Sequence, residues 1–223
     1  MEQINVWLRR NNSEEFVPGA VVQMTAEYFL RARSTWGEDF QQRRSRDAVC
    51  EDEPLWRRMV SGDSDEPERR WKGCAITHAE EIEGILIVEN SLQPSRKPPG
   101  GLLLYVRYLA PAPWNRPSRS GRRRFRNIEQ LLTVQAVRES IRMGSPGRVA
   151  VHAPAEIRLH LEKSGFDILE DDSAPPGTTY FELRPSHAFQ LISDAETCRD
   201  RAGRREWLEG AAAARWSLSK RRL

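Results

Sequence analysis

The chain has 223 residues, of which 30% are charged and 39% hydrophobic, enough to bury a sizeable core in one large domain or two small ones. Its 35 Lys and Arg nearly balance 32 Asp and Glu, so the net charge of +3 argues neither for nor against a polyanionic partner, though local basic surfaces remain open to it. Three widely spaced cysteines (Cys50, Cys74, Cys198) give no disulfide framework or CxxC knuckle. No apolar run approaches the roughly 18 residues that span a bilayer, and the start MEQINVWLRR lacks the order of a secretory signal, so a cytoplasmic protein is expected.

Taken in chain order, residues 1–70 are expected to form a mainly helical N-terminal part of the same domain. Met24, Tyr28, Phe29, Ala32, Trp36 and Phe40 fall near three-and-four spacing, which predicts an amphipathic helix from about Ala20 into Gln42. Leu55, Trp56, Met59 and Val60 predict a second short helix after Pro54, followed by a polar connection, SGDSDEPERR. These aromatics would cover one face of a sheet.

From Trp71 the pattern turns to strands, and 71–185 reads as the core. WKGCAITHA and EGILIVENS predict a hairpin, SLQPSRKPPGG a loop, and GLLLYVRYLA a strand apolar on both faces and therefore central. A Pro- and Arg-rich loop follows, then a helix in which Ile128, Leu131, Leu132, Val137 and Ile141 recur before Gly144. GRVAVHA predicts a strand, EIRLHLEKSGF a helix carrying Ile157, Leu159, Leu161 and Phe166, and TYFELR a last strand. Residues 186–223 form a basic, Ala-rich tail expected to be helical, its Trp207, Leu208, Ala211 and Trp216 packing back on the domain or meeting a protein partner or a second copy.

A central strand leading through a basic loop into a helix aims a helix N-terminus at whatever lies beyond the strand, and an anion suits that position. YLAPAPWNRP followed by RRFRNIEQLL resembles one bacterial branch of the Gcn5-related N-acetyltransferase (GNAT) superfamily, in which an APWNRP loop precedes an RFRGVG turn; the order of the later elements is similar too. The resemblance implies a mixed α/β fold with a mostly antiparallel sheet, splayed central strands and flanking helices. It implies acetyl-CoA as the acyl donor, lying between strands 102–110 and 147–153 beside Tyr108, Leu109 and Ala110, and direct transfer to an amine. The acceptor would be a small molecule, a peptide or an aminoacyl-tRNA.

Aligned on the superfamily's Arg/Gln-x-x-Gly-x-Gly/Ala loop, the diphosphate-binding residues would be Arg124, Phe125, Arg126, Asn127, Ile128 and Glu129. Both small residues are lost. Asn127 tolerates left-handed backbone, but the carboxylate of Glu129 would repel a diphosphate. Arg119, Arg122, Arg123, Arg124 and Arg126 would supply compensating charge, or would form a solvated basic loop. The Tyr that often protonates the leaving thiolate is replaced by Leu161, with His160 one residue away and turned about 100° around the helix.

His152, at the end of GRVAVHA, is the candidate proton carrier, and Asn115 a candidate hydrogen-bonding group for cofactor or acceptor; each would alternatively only fix local structure. No metal site is readable in the four scattered histidines (His78, His152, His160, His187). Two rival readings accompany the enzyme: a member of the fold that has lost catalysis and works by binding, and nucleic-acid binding through the arginines of 119–126.

Overall fold

The computed structural model describes residues 3–36, 71–97, 100–116, 123–154, 158–171, 174–197 and 200. Eight strands make one sheet in the order β1-β2-β3-β4-β5-β6-β8-β7: β1 Ile4–Arg9, β2 Phe16–Gln23, β3 Trp71–His78, β4 Glu81–Pro94, β5 Leu102–Pro111, β6 Val149–Pro154, β7 Phe166–Leu169 and β8 Thr178–Leu183. Every pairing is antiparallel except β5 with β6. That pair is parallel because the chain between them crosses over through a helix. Helices α1 (Ala26–Thr35), α2 (Ile128–Arg142), α3 (Arg158–Lys163) and α4 (185–197) flank the sheet, so the mixed, mostly antiparallel α/β architecture is present.

The central strands are apolar on both sides, and alternation divides their side chains between two cores. Leu86 and Val88 of β4 and Leu104 and Val106 of β5 join the rear core, with Ile128, Leu132, Ala136 and Val137 of α2, Leu161 of α3 and Ala188 of α4. Ile85 and Ile87 face forward, where Phe29 and Ala32 of α1 pack with Met24, Trp36 and Ala75. Gly84 permits the closest approach of α2 to the sheet, since a Cβ there would lie 2.6 Å from Ile128 Cγ2.

The N-terminal part differs from the helical expectation. Residues 4–23 form a hairpin, and the helix is confined to Ala26–Thr35, with the hydroxyl of Thr25 accepting the Tyr28 N–H at 3.4 Å. Val17, Val21 and Val22 are β-branched, and Val21 pairs with Ile76 while Val17 pairs with Leu8, so ladder pairing overrides the helical spacing that starts at Met24. Phe40, the helix expected over 55–60, the connection 61–70 and the tail beyond Asp200 lie outside the described residues.

Smaller differences follow the same logic. β4 continues to Pro94 because Leu92, Gln93 and Pro94 find partners in Leu104, Leu103 and Leu102. Phe166–Leu169, expected only as a helix end, pairs with β8. Leu159 and Ile141, assigned to buried stripes, are exposed. Gly165, with φ +86°, stops α3 where a Cβ would strike the ring of His187.

Two predictions concern stability. Gly84→Ala is expected to destabilise the fold by about 1–3 kcal/mol through overpacking, read as a lowered unfolding midpoint. Glu139 of α2 is held below its ordinary value of 4.5, chiefly by Arg142 and against burial, with Lys72 assisting at 3.2 Å. A depressed folded-state carboxyl contributes stability that is present above 4.5 and lost as pH falls through the lower folded value. Glu139→Gln should therefore flatten the acid side of a stability-versus-pH curve.

Candidate functional site

β5 and β6 pair only through Leu104–Val149, Tyr105–Ala150 and Val106–Val151. Beyond that point each strand keeps its outer partner. β5 stays on β4 through Ala110 and Pro111, and β6 stays on β8 through His152, Ala153 and Pro154. A wedge therefore opens between them, with its vertex at Val106 and Val151. On β5 the parting coincides with a bulge: Ile87 pairs with Tyr108 and Val88 with Val106, leaving Arg107 unmatched. Arg107 is anchored to the buried carboxylate of Glu89 at 2.7 Å. Tyr108 and Leu109 are half-buried, on the front and rear sides respectively, and Ala110 is buried.

The chain leaving β5 is organised by a buried carboxylate. Glu83 is fully buried and accepts from Trp114 Nε1 at 2.7 Å, Asn115 Nδ2 at 2.6 Å and the Arg124 guanidinium at 2.8 Å. Its main-chain carbonyl accepts from the Ala112 N–H at 2.9 Å and again from Asn115 Nδ2. Asn115, in the 3-10 turn Pro113–Asn115, is itself fully buried, and its Oδ1 accepts the Phe125 N–H at 2.9 Å. Both ends of its amide are thus committed inside the protein. Arg124 also pairs with Glu81 and lies over the Trp114 ring, 5.2 Å from its centroid.

From there the loop runs along the end of the sheet to β1. Phe125 is fully buried, stacks edge-on against His78 and forms an isolated bridge with Arg10. The Arg124 N–H donates to Trp114 O, the Arg126 N–H to Arg9 O, and the Asn11 N–H to Arg124 O. Asn127 accepts the Arg9 N–H through Oδ1 and donates to Trp7 O through Nδ2, both at 2.9 Å. Its side chain therefore staples β1 and caps no N–H of α2. Ile128 is buried in the rear core, Glu129 sits half-buried in the first turn of α2, and Arg126 pairs with Glu14 at 2.8 Å.

On the front side at the vertex lies a second polar network. His152 Nδ1 is 2.5 Å from the Tyr105 hydroxyl, and its Nε2 is 2.7 Å from Asp171 Oδ2. The Asp171 carboxylate is buried and also pairs with Arg96, whose guanidinium lies over the Tyr180 ring, 4.6 Å from its centroid. Tyr180 donates to Glu182 at 3.0 Å, and Glu182 further accepts from Ser95 Oγ and the Arg96 N–H. Burial pushes the Tyr180 hydroxyl well above its ordinary value, with the Glu182 charge adding to the rise.

The fold thus gathers Tyr108, Leu109, Ala110 and His152 at the wedge and puts Arg124 to Glu129 along the end of the sheet toward β1. Leu161, at the position of the expected acid, is buried in the rear core. Glu83, Tyr105 and Asp171 were not anticipated. Glu83 had one sequence signal, a carboxylate directly abutting the apolar run GILIV; Asp171, in a charged loop, had none. Residues 117–122, including Arg119 and Arg122, lie outside the described residues. Among the described residues no three His, Cys, Asp or Glu side chains are grouped to hold a metal ion, and no helix is long and apolar enough to cross a membrane.

A protein from Desulfovibrio desulfuricans assigned to the GNAT family of acetyltransferases has a similar structure, with a TM-score of 0.50 at 13% identity over 75% of this chain and 99% of that one. An acetyltransferase of the GNAT family from Staphylococcus aureus gives 0.51 at 6% identity, over 74% and 98%. The PaiA N-acetyltransferase of Thermoplasma acidophilum, in complex with coenzyme A, gives 0.48 at 12% identity, over 74% and 98%. No protein-family profile matches the chain, and no curated protein matches it. At these identities the likeness is one of fold.

The parted edges of β5 and β6 leave main-chain groups facing the wedge, able to pair with an extended chain. In the loop before α2, the N–H groups of 124–126 already have acceptors within the protein.

One prediction tests the loop architecture. Glu83→Gln places an amide among donors and should destabilise the fold by about 2–4 kcal/mol. Asn115→Ala should also destabilise it. In a double-mutant cycle the two should couple by more than about 1 kcal/mol, since they share one hydrogen-bond network.

Proposed function

We propose, from the premise that this chain has the GNAT acetyltransferase fold, that it is an N-acetyltransferase passing an acetyl group directly from acetyl-CoA to an amine. The observation that carries this reading is the parting of β5 from β6 after Val106 and Val151, while both keep their outer partners. A wedge of that kind receives an extended chain between two main-chain edges without disturbing the rest of the sheet. Acetyl-CoA, when bound, supplies an acyl carbonyl activated by its thioester.

The residues of the chain have separate tasks in this reading. The β5 edge from Arg107 to Ala110 orients the pantetheine arm by main-chain hydrogen bonds, with Tyr108 on the front. His152, at the vertex, carries protons. Asn115 acts by holding the loop to Glu83 and not by touching substrate, because its amide is spent on Glu83 and Phe125. The diphosphate would take the first-turn N–H groups of α2, which no side chain caps, in place of those of 124–126. Arg124 is neutralised by Glu81 and Glu83, and the Glu129 carboxylate opposes the ligand. The acceptor is an amine on a small molecule, a peptide or an aminoacyl-tRNA, the last favoured by the basic segment 119–126.

A second reading, a member of the fold that binds a partner without transferring acetyl, is favoured by one specific observation. The loop that would grip the diphosphate is instead tied to β1 through Arg9, Arg10, Asn11 and Asn127. Calorimetry with acetyl-CoA separates the two: micromolar binding is expected for the enzyme, and no binding at millimolar ligand would favour the partner-binding protein.

The charge argument gives a sharper test. One like charge near 5 Å at an effective dielectric of about 20 opposes binding by roughly 3 kcal/mol before screening. Screening at a half-buried helix end reduces this, so Glu129→Gln should tighten acetyl-CoA by about tenfold. Asn127→Gly, by contrast, should lower stability and leave affinity no better, since it removes both bonds to β1.

A further inference from the structure

We propose that Tyr105, His152 and Asp171 form a proton relay at the vertex of the wedge, in which the Tyr105 hydroxyl takes the proton of the incoming amine and later returns it to the departing thiolate. The proposal rests on the N-acetyltransferase reading above and supplies the acid that Leu161 cannot.

The geometry assigns the roles. Asp171 is paired with Arg96 and is therefore an ionised acceptor, so His152 Nε2 at 2.7 Å carries the hydrogen. That tautomer leaves a lone pair on Nδ1, which accepts the Tyr105 O–H at 2.5 Å. Asp171 is a positioning residue: it fixes the tautomer and ring orientation, as the carboxylate of a Ser-His-Asp triad does. Tyr105 stands opposite Ala150 in the last paired stretch and His152 is the first residue of β6 beyond it, so the hydroxyl and the imidazole meet where the strands begin to part. Burial pushes the Tyr105 hydroxyl up from its ordinary value, against the pull of Arg107, which keeps it a donor near neutral pH.

For an amine that has already released its ammonium proton to solvent, the proton count closes without a further acid or base. As the amine nitrogen bonds to the acetyl carbon, its proton passes to the Tyr105 oxygen while the Tyr105 proton passes to His152 Nδ1, giving an imidazolium beside Asp171. As the carbon–sulfur bond breaks and its electron pair leaves on sulfur, Tyr105 protonates the thiolate and recovers a proton from His152. The other charged and titratable groups around the pair are committed elsewhere. Tyr180, whose ring is 5.0 Å from that of His152, donates to Glu182. Arg96 holds Asp171 and Arg107 holds Glu89 while lying 5.1 Å from the centre of the Tyr105 ring.

The test combines calorimetry with thiol release from acetyl-CoA, using a lysine peptide and, separately, water as acceptor, on the full chain and its Tyr105→Phe, His152→Asn and Asp171→Asn variants. General acid–base catalysis typically contributes about a hundredfold or more. Tyr105→Phe is therefore expected to lower kcat about 100-fold with acetyl-CoA affinity and the unfolding midpoint within twofold and a few degrees of the parent. His152→Asn should lower kcat similarly and remove the acid limb of the kcat–pH profile, and Asp171→Asn should displace that limb. Release within threefold of the parent in Tyr105→Phe and His152→Asn, with acetyl-CoA bound, overturns the relay and leaves the enzyme reading standing. Binding by the parent without thiol release to either acceptor also overturns the relay. Absence of acetyl-CoA binding overturns both.

Discussion

A carboxylate taken out of water must be met by donors, and Glu83, on the central strand β4, is met by three side chains that would otherwise have no reason to converge. Burying such a group unpaired would cost several kcal/mol. Trp114, Asn115 and Arg124 instead wrap around it, and the loop between β5 and α2 takes its course from that arrangement. Asn115 then passes the constraint on to the Phe125 N–H, which sets Phe125 into the rear core and Ile128 against Gly84. The start of α2, and with it any anion site there, is thus fixed from beneath by one buried charge.

The same loop is held from the side by β1. Main-chain bonds join Arg9 and Asn11 to the segment 124–126, the Arg126 N–H being spent on Arg9 O, and the Asn127 side chain adds a staple to β1. The wedge between β5 and β6 is untouched by this, because it lies on the other side of β4 from β1. The opening between the strands and the fastening of the loop are therefore set independently of each other. The front side carries the Tyr105–His152–Asp171 chain, set by β5, β6 and the loop after β7 and independent of the basic loop.

Legibility in the sequence followed the range of the interactions. GLLLYVRYLA reads as a central strand because it is apolar on both faces, and Leu103 and Leu104 do face opposite cores. The repeat of Ile128, Leu132 and Val137 identifies α2 for the same local reason. The N-terminal hairpin was hidden because Met24 to Trp36 carries helical spacing and short strands such as INVWLR show little alternation; its pairing with β3 is decided far along the chain, Val21 meeting Ile76. At the site, His152 was visible as a titratable residue ending a strand. Its partners were not, since Tyr105 is 47 residues before it and Asp171 lies in a loop with no pattern of its own.

What the sequence alone determined was the alternation of strands and helices from Trp71 onward and the loss of both small residues at Asn127 and Glu129, since periodicity and residue size are properties of the local chain. Only the tertiary structure decided that Asn115 and Arg124 serve a buried carboxylate, that Asn127 fastens β1, and that Tyr105 and Asp171 flank His152. Those roles depend on which groups are brought together and desolvated, and strand pairing across the whole sheet brings them there.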